Sequence, residues 1–156
     1  MSKPIYVLNG PNLNMLGLRE PETYGSETLD DLRRRCEQKA KALGVAVDFR
    51  QSNAEGDLVT WIQEARAKAL GLLLNAGAYT HTSVAIHDAL RAADVPSIEV
   101  HLSNVFRREP FRHHSYVSPC VIGVICGFGP LGYELALTAL ASWAKSGNKG
   151  TTVKTS

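Results

Sequence analysis

Short apolar runs of strand length alternate with segments of helical period along most of the 156 residues, and that alternation leaves few folds open. A strand–helix–strand repeat makes neighbouring strands parallel, because each connection has to cross a face of the sheet. Ile5-Tyr6-Val7-Leu8 is β-rich and stopped by Asn9-Gly10-Pro11, which predicts a buried first strand. Leu29, Leu32, Cys36, Ala40 and Leu43 recur at helical spacing, with Gly44 placed to end that helix. Residues 45–49 predict a second strand, and Leu58, Trp61, Ile62, Ala65 and Ala69 a second helix. Leu72-Leu73-Leu74 is apolar on both faces, as a covered central strand must be. A third helix carries Ile86, Ala89, Leu90 and Ala93, with Thr80 or Thr82 as its cap. Residues 97–102 and 121–126 complete the strands, and 131–143 form the last helix, with Pro130 suited to its first turn.

Five such units at this length predict an α/β fold, a flavodoxin-like three-layer sandwich whose five-stranded parallel sheet has the order 2-1-3-4-5. Residues 1–145 read as a single domain and 146–156 as a polar, flexible tail. Hydrophobic residues at 44% and charged residues at 21% exclude disorder for the bulk of the chain. A formal net charge of +2 is too small to imply a nucleic-acid partner. No apolar run approaches the roughly 20 residues that cross a bilayer, and the start lacks a signal peptide's pattern. No membrane association and a cytoplasmic location are therefore expected. Cys36, Cys120 and Cys126 form no paired framework and read as reduced, buried thiols.

Gly127-Phe128-Gly129-Pro130-Leu131-Gly132 matches the dinucleotide-binding pattern and joins a predicted strand to a helix. It follows the last strand instead of the first, and no acidic residue stands about 20 positions on. A tight turn with close helix packing is the reading it supports. A flavodoxin-like module binding a nucleotide or flavin is the rival class, weakened because the loop after strand one lacks a phosphate-cradling run of Gly, Ser and Thr.

In an open parallel sheet, ligands bind beyond the carboxyl ends of the strands. Asn9, Asn12 and Asn14, then Arg19 and Tyr24, follow strand one; Asn75, Tyr79 and His81 follow strand three. Strand four ends in Glu99, His101, Ser103 and Asn104, with Arg107, Arg108 and Arg112 beyond. All three ends should meet in one crevice. Glu99 and His101, two apart, project from one face, and a carboxylate beside an imidazole favours its protonated form, a general acid. A guanidinium within about 4 to 6 Å of a tyrosine can lower its pKa by one to three units and make the phenol a usable base. Arg19 and Tyr24 share one loop that could do this. No metal-binding spacing, P-loop or nucleophile elbow is present, so neither metal nor cofactor is expected.

The ordered motifs Asn9-Gly10-Pro11-Asn12-Leu13-Asn14, Arg19-Glu20-Pro21 with Tyr24-Gly25, residues 75–83, Glu99-Val100-His101-Leu102-Ser103-Asn104 and residues 108–116 resemble the type II 3-dehydroquinate dehydratases over residues 5–143. The resemblance implies a hydro-lyase of the shikimate pathway, serving aromatic amino acid biosynthesis, that turns 3-dehydroquinate into 3-dehydroshikimate by anti elimination through an enolate. It implies that Tyr24 removes the C2 proton, with Arg19 holding it as phenolate. His101 would protonate the leaving C1 hydroxyl, oriented by Glu99. Asn12 would stabilise the enolate oxygen through a water, and Asn75 would hold the leaving hydroxyl and His101 in register. Backbone N–H groups of Leu102 and Ser103, with the Ser103 hydroxyl, would take the substrate carboxylate, and His81 and Arg112 the ring hydroxyls. Asp88 would complete a neighbouring subunit's site, in trimers assembled into a homododecamer.

Overall fold

A computed structural model of the chain describes residues 2–18, 22 and 26–147. The sheet is built from β1 (Ile5–Asn9), β2 (Val47–Gln51), β3 (Gly71–Asn75), β4 (Ser97–His101) and β5 (Gly123–Cys126), and the helices are α1 (Leu29–Leu43), α2 (Glu55–Lys68), α3 (Val84–Ala93) and α4 (Leu131–Lys145). All four strand pairings are parallel and the order is β2-β1-β3-β4-β5.

The alternation of side chains along each strand divides the core in two. Ile5, Val7, Leu73, Ile98 and Val100 pack with Leu32 and Cys36 of α1 and Leu137 and Leu140 of α4. From the opposite face, Tyr6, Leu8, Leu72 and Leu74 pack with Leu58 and Ile62 of α2 and Ile86 and Leu90 of α3. Leu72, Leu73 and Leu74 are fully buried because helices cover both faces of the central strand.

Local chemistry moves several boundaries from their expected places. The second strand starts at Val47 and runs to Gln51, two residues later than expected, because Val45 is used to close α1. Its N–H bonds Ala40 O at 2.9 Å while Gly44, at φ 78°, bonds Lys41 O, the paired closure typical of a left-handed helix end. Helix α3 is capped by Ser83, not by Thr80 or Thr82. Ser83 Oγ accepts from Ile86 N at 2.9 Å, whereas Thr80 lies in a 3-10 turn over Gly77–His81 and Thr82 N is bonded back to Tyr79 O. The fifth strand begins at Gly123 because Ser118–Cys120 coil into another 3-10 turn.

Gly127 and Gly129 adopt φ of +94° and +61°, the turn that carries the chain from β5 into α4. At Gly132, an added Cβ would lie 3.4 Å from Ile125 Cγ2 and 3.6 Å from Val100 Cγ1, which is close packing of helix on sheet. The glycine pattern thus serves a turn and a helix contact.

Candidate active site

The carboxyl ends of β1, β3 and β4 meet at a cavity of about 150 Å³. Its wall takes Asn12 from the loop after β1, Asn75 and His81 from the end of β3 and the turn beyond it, and His101, Leu102, Ser103 and Arg112 from the end of β4 and the segment after it. These seven expected residues come together from three separate stretches of sequence. The loop can run this close because residue 10 is glycine: a Cβ there would sit 2.3 Å from Ala76 O. The Gly127–Gly132 turn lines no part of this cavity.

Glu99 and His101 point to the same face of β4, and His101 Nε2 lies 2.5 Å from Glu99 Oε2. The carboxylate is 2% exposed, a setting in which an isolated charge would be costly. Three groups compensate: His101, the Ser118 hydroxyl donating to Oε1 at 2.5 Å, and the Ser115 hydroxyl at 3.1 Å from both oxygens. Ser115 Oγ itself accepts the N–H groups of Val117 and Ser118, which leaves its proton aimed at Glu99. Burial pushes the Glu99 carboxyl up, and the hydrogen bonds and charge attraction more than offset it, so it lies below its ordinary value. Glu99 therefore stays an acceptor, and the imidazole that lines the cavity turns its Nε2–H to it.

His81 stacks near-parallel to His101, with ring centroids 6.3 Å apart. Its Nδ1 lies 2.8 Å from His114 O, an acceptor, so Nδ1 carries the hydrogen. Burial lowers its pKa most, with the charges of His101 and Arg112 adding to the effect, and the bond to His114 O opposes them. A neutral His81 leaves Nε2 as an acceptor suited to a hydroxyl. Arg112 Nε donates to Glu109 Oε2 at 2.6 Å, which steadies its guanidinium at the cavity wall.

A second cavity, of about 350 Å³, lies against the same wall; His81, His101 and Arg112 border both. Glu99, Ser115 and Ser118 line the second one, so the acid and the carboxylate behind it have different surroundings.

Asn75 is buried, with Nδ2 donating to Tyr133 Oη at 2.9 Å and Oδ1 accepting from Gly77 N at 3.2 Å. Its protein partners are thus Tyr133 and Gly77. Asp88 is exposed on α3 and lines neither cavity. Arg19 and Tyr24 lie outside the described residues, as does the tail from residue 148. Sequence reasoning missed Ser118 and Tyr133. Ser118 had no signal, because its distance from Glu99 in the chain hides their contact. Tyr133 had a faint one: a phenol on an apolar helix face needs a polar partner. Among the described residues no cluster of three metal-ligating side chains occurs, and no helix is long and apolar enough to cross a membrane.

Residues 3–141 match the family described as Dehydroquinase class II. The 3-dehydroquinate dehydratase of Azorhizobium caulinodans is 63% identical over 142 residues, which is 91% of this chain and 96% of that one. The 3-dehydroquinate dehydratase of Brucella canis is 59% identical over 155 residues and 99% of both chains. Among solved structures, the type II dehydroquinase of Propionibacterium acnes superposes with a TM-score of 0.87 at 48% identity, covering 91% of this chain and 98% of that one.

Proposed function

The chain belongs to the class II dehydroquinases, and from that premise we propose that its cavity dehydrates 3-dehydroquinate to 3-dehydroshikimate, a carbon–oxygen hydro-lyase step of the shikimate pathway. The observation that carries this reading is the buried Glu99–His101 pair, with the imidazole on the cavity and the carboxylate held behind it by two serine hydroxyls.

A proton beside a ketone is weakly acidic, so elimination needs a base, an acid and a place for the charge between the two steps. Tyr24, as phenolate beside Arg19, takes the C2 proton, and the C–H electron pair moves into the carbonyl to give an enolate. Asn12, through a water, stabilises that oxygen. The enolate then collapses, the C1–oxygen bond breaks, and His101 delivers the proton that lets the hydroxyl leave as water. Tyr24 ends protonated and His101 neutral, and exchange with solvent resets both. Glu99, held as an acceptor, orients the imidazole for the transfer. Asn75 positions the leaving hydroxyl. The N–H groups of Leu102 and Ser103 and the Ser103 hydroxyl receive the carboxylate, and His81 and Arg112 the ring hydroxyls; a neutral His81 with a free acceptor nitrogen supports that assignment.

The same reading has Asp88 reaching a neighbouring subunit's site in a homododecamer of four trimers in the cytoplasm. Its support is that Asp88 is exposed and away from its own chain's cavity. Apolar side chains are also exposed along the β5 edge and just beyond, with Val124 at 44%, Phe128 at 62% and Leu131 at 46%. Purified protein given 3-dehydroquinate should produce the ultraviolet absorbance of a conjugated enone. No rise in absorbance at high protein concentration would remove the reading.

A further inference from the structure

Asn9 and Asn75 end β1 and β3 as direct register partners, and both are buried. Between them stands Tyr133 of α4, with no exposed surface. Its hydroxyl donates to Asn9 Oδ1 at 2.6 Å and accepts from Asn75 Nδ2 at 2.9 Å. The far end of each amide is tied to backbone. Asn9 Nδ2 donates to Arg50 O at 2.9 Å, and Asn75 Oδ1 accepts from Gly77 N.

The direction of this chain of bonds is fixed by counting donors. Arg50 offers a carbonyl, which can only accept, so Asn9 must turn its nitrogen there and its oxygen to Tyr133. Burial pushes the Tyr133 phenol far up, so it stays protonated with one hydrogen to give. That hydrogen goes to Asn9, and the phenol oxygen can then only accept from Asn75. At the other end, the Gly77 N–H demands the Asn75 oxygen. Turning the Asn75 amide over would set nitrogen against N–H at Gly77 and leave Tyr133 facing a second acceptor. Unpaired buried groups of this kind cost about 1–3 kcal/mol each.

We propose that Tyr133 is a positioning residue for the dehydration: by relaying the Arg50 carbonyl through Asn9, it fixes, together with the Gly77 N–H, the sense of the Asn75 amide at the cavity wall. Asn75 then presents one N–H and one oxygen lone pair to the leaving hydroxyl in a single arrangement. The inference rests on the dehydratase reading and adds a residue with no contact to the substrate.

The test is a double-mutant cycle on the full chain, with Tyr133→Phe, Asn75→Ala and the pair, followed by turnover of 3-dehydroquinate at enzyme concentrations that keep residual rates measurable. Loss of one well-placed hydrogen bond is worth about tenfold, so Tyr133→Phe should lower kcat by roughly that factor and change KM less. In the Asn75→Ala background the same change should cost less than about twofold. An equal loss in both backgrounds, or unaltered kcat in the single variant, overturns the inference. If Tyr133→Phe does not fold, as judged by circular dichroism, Asn9→Ala takes its place. With its acceptor gone, the phenol hydrogen no longer holds Tyr133 Oη as a pure acceptor towards Asn75 Nδ2, and the same cancellation is expected. Wild-type protein inert towards 3-dehydroquinate would sink the dehydratase reading itself; an active wild type with additive variants sinks only the role of Tyr133.

Discussion

Replacing Ser118 by Ala removes one bond to a buried charge and little else. Ser118 Oγ lies 2.5 Å from Glu99 Oε1, and the carboxylate is 2% exposed. The Ser118 backbone N–H still reaches Ser115 Oγ, and Ser115 and His101 still hold Glu99. Hydrogen bonds to charged groups contribute about 1.5–3 kcal/mol, which is the stability Ser118→Ala should lose at neutral pH. The pH dependence has a definite sign. A carboxyl depressed on folding contributes stability that is fully present above its unfolded value, about 4.3 for Glu, and is lost as pH falls through its folded value. Burial raises the Glu99 carboxyl while His101, Ser118 and Ser115 lower it further, so the native protein keeps this contribution into the acid range. The variant, with one donor fewer, sheds it at higher pH. Urea unfolding at fixed protein concentration should therefore show the full gap at neutral pH and a closing gap in acid, once both proteins carry a protonated Glu99. The acid limb of kcat should move to higher pH in the variant. A gap that stays constant down the pH series would show that the hydroxyl acts through packing, and no gap at neutral pH would refute the argument.

Tyr24→Phe should leave fold and assembly intact and lower turnover by orders of magnitude, since only the base is removed; near-normal rates in the same enone assay would end that assignment. His101→Ala should reduce kcat far more than it raises KM, and a change in KM alone would make His101 a binder. Gly10→Ala forces a Cβ to within 2.3 Å of Ala76 O, so it should destabilise by about 1–3 kcal/mol or more in urea unfolding. A neutral result would mean that the β1 and β3 ends part easily. Borohydride added with substrate should leave no covalent adduct detectable by mass spectrometry, because the mechanism forms no imine; a modified lysine would contradict it.

The sheet was legible in the sequence because its cause is local. Strand-length apolar runs separated by helical periods dictate parallel strands with helices on both faces, and chain length with five units suggested the order that the sheet adopts, with its crevice at the carboxyl ends of β1, β3 and β4. The pairing of Glu99 with His101 was legible for the same reason: two residues apart on a strand share a face. Boundaries were less legible. Val45 has the side chain of a strand residue, yet a backbone bond to Ala40 assigns it to the end of α1. Thr80 and Thr82 have capping side chains, yet a 3-10 turn pushes the helix start past them to Ser83.

By itself, then, the sequence determined everything set by periodicity and by neighbours within a few residues: the layers, the parallel strands, and the residue types at the strand ends. The tertiary structure alone decided who completes each buried polar group. Ser118 meets Glu99 across 19 positions, and Tyr133 meets Asn9 across 124. A buried donor or acceptor must be satisfied by whatever folding brings beside it, and distance along the chain has no bearing on which side chain that will be.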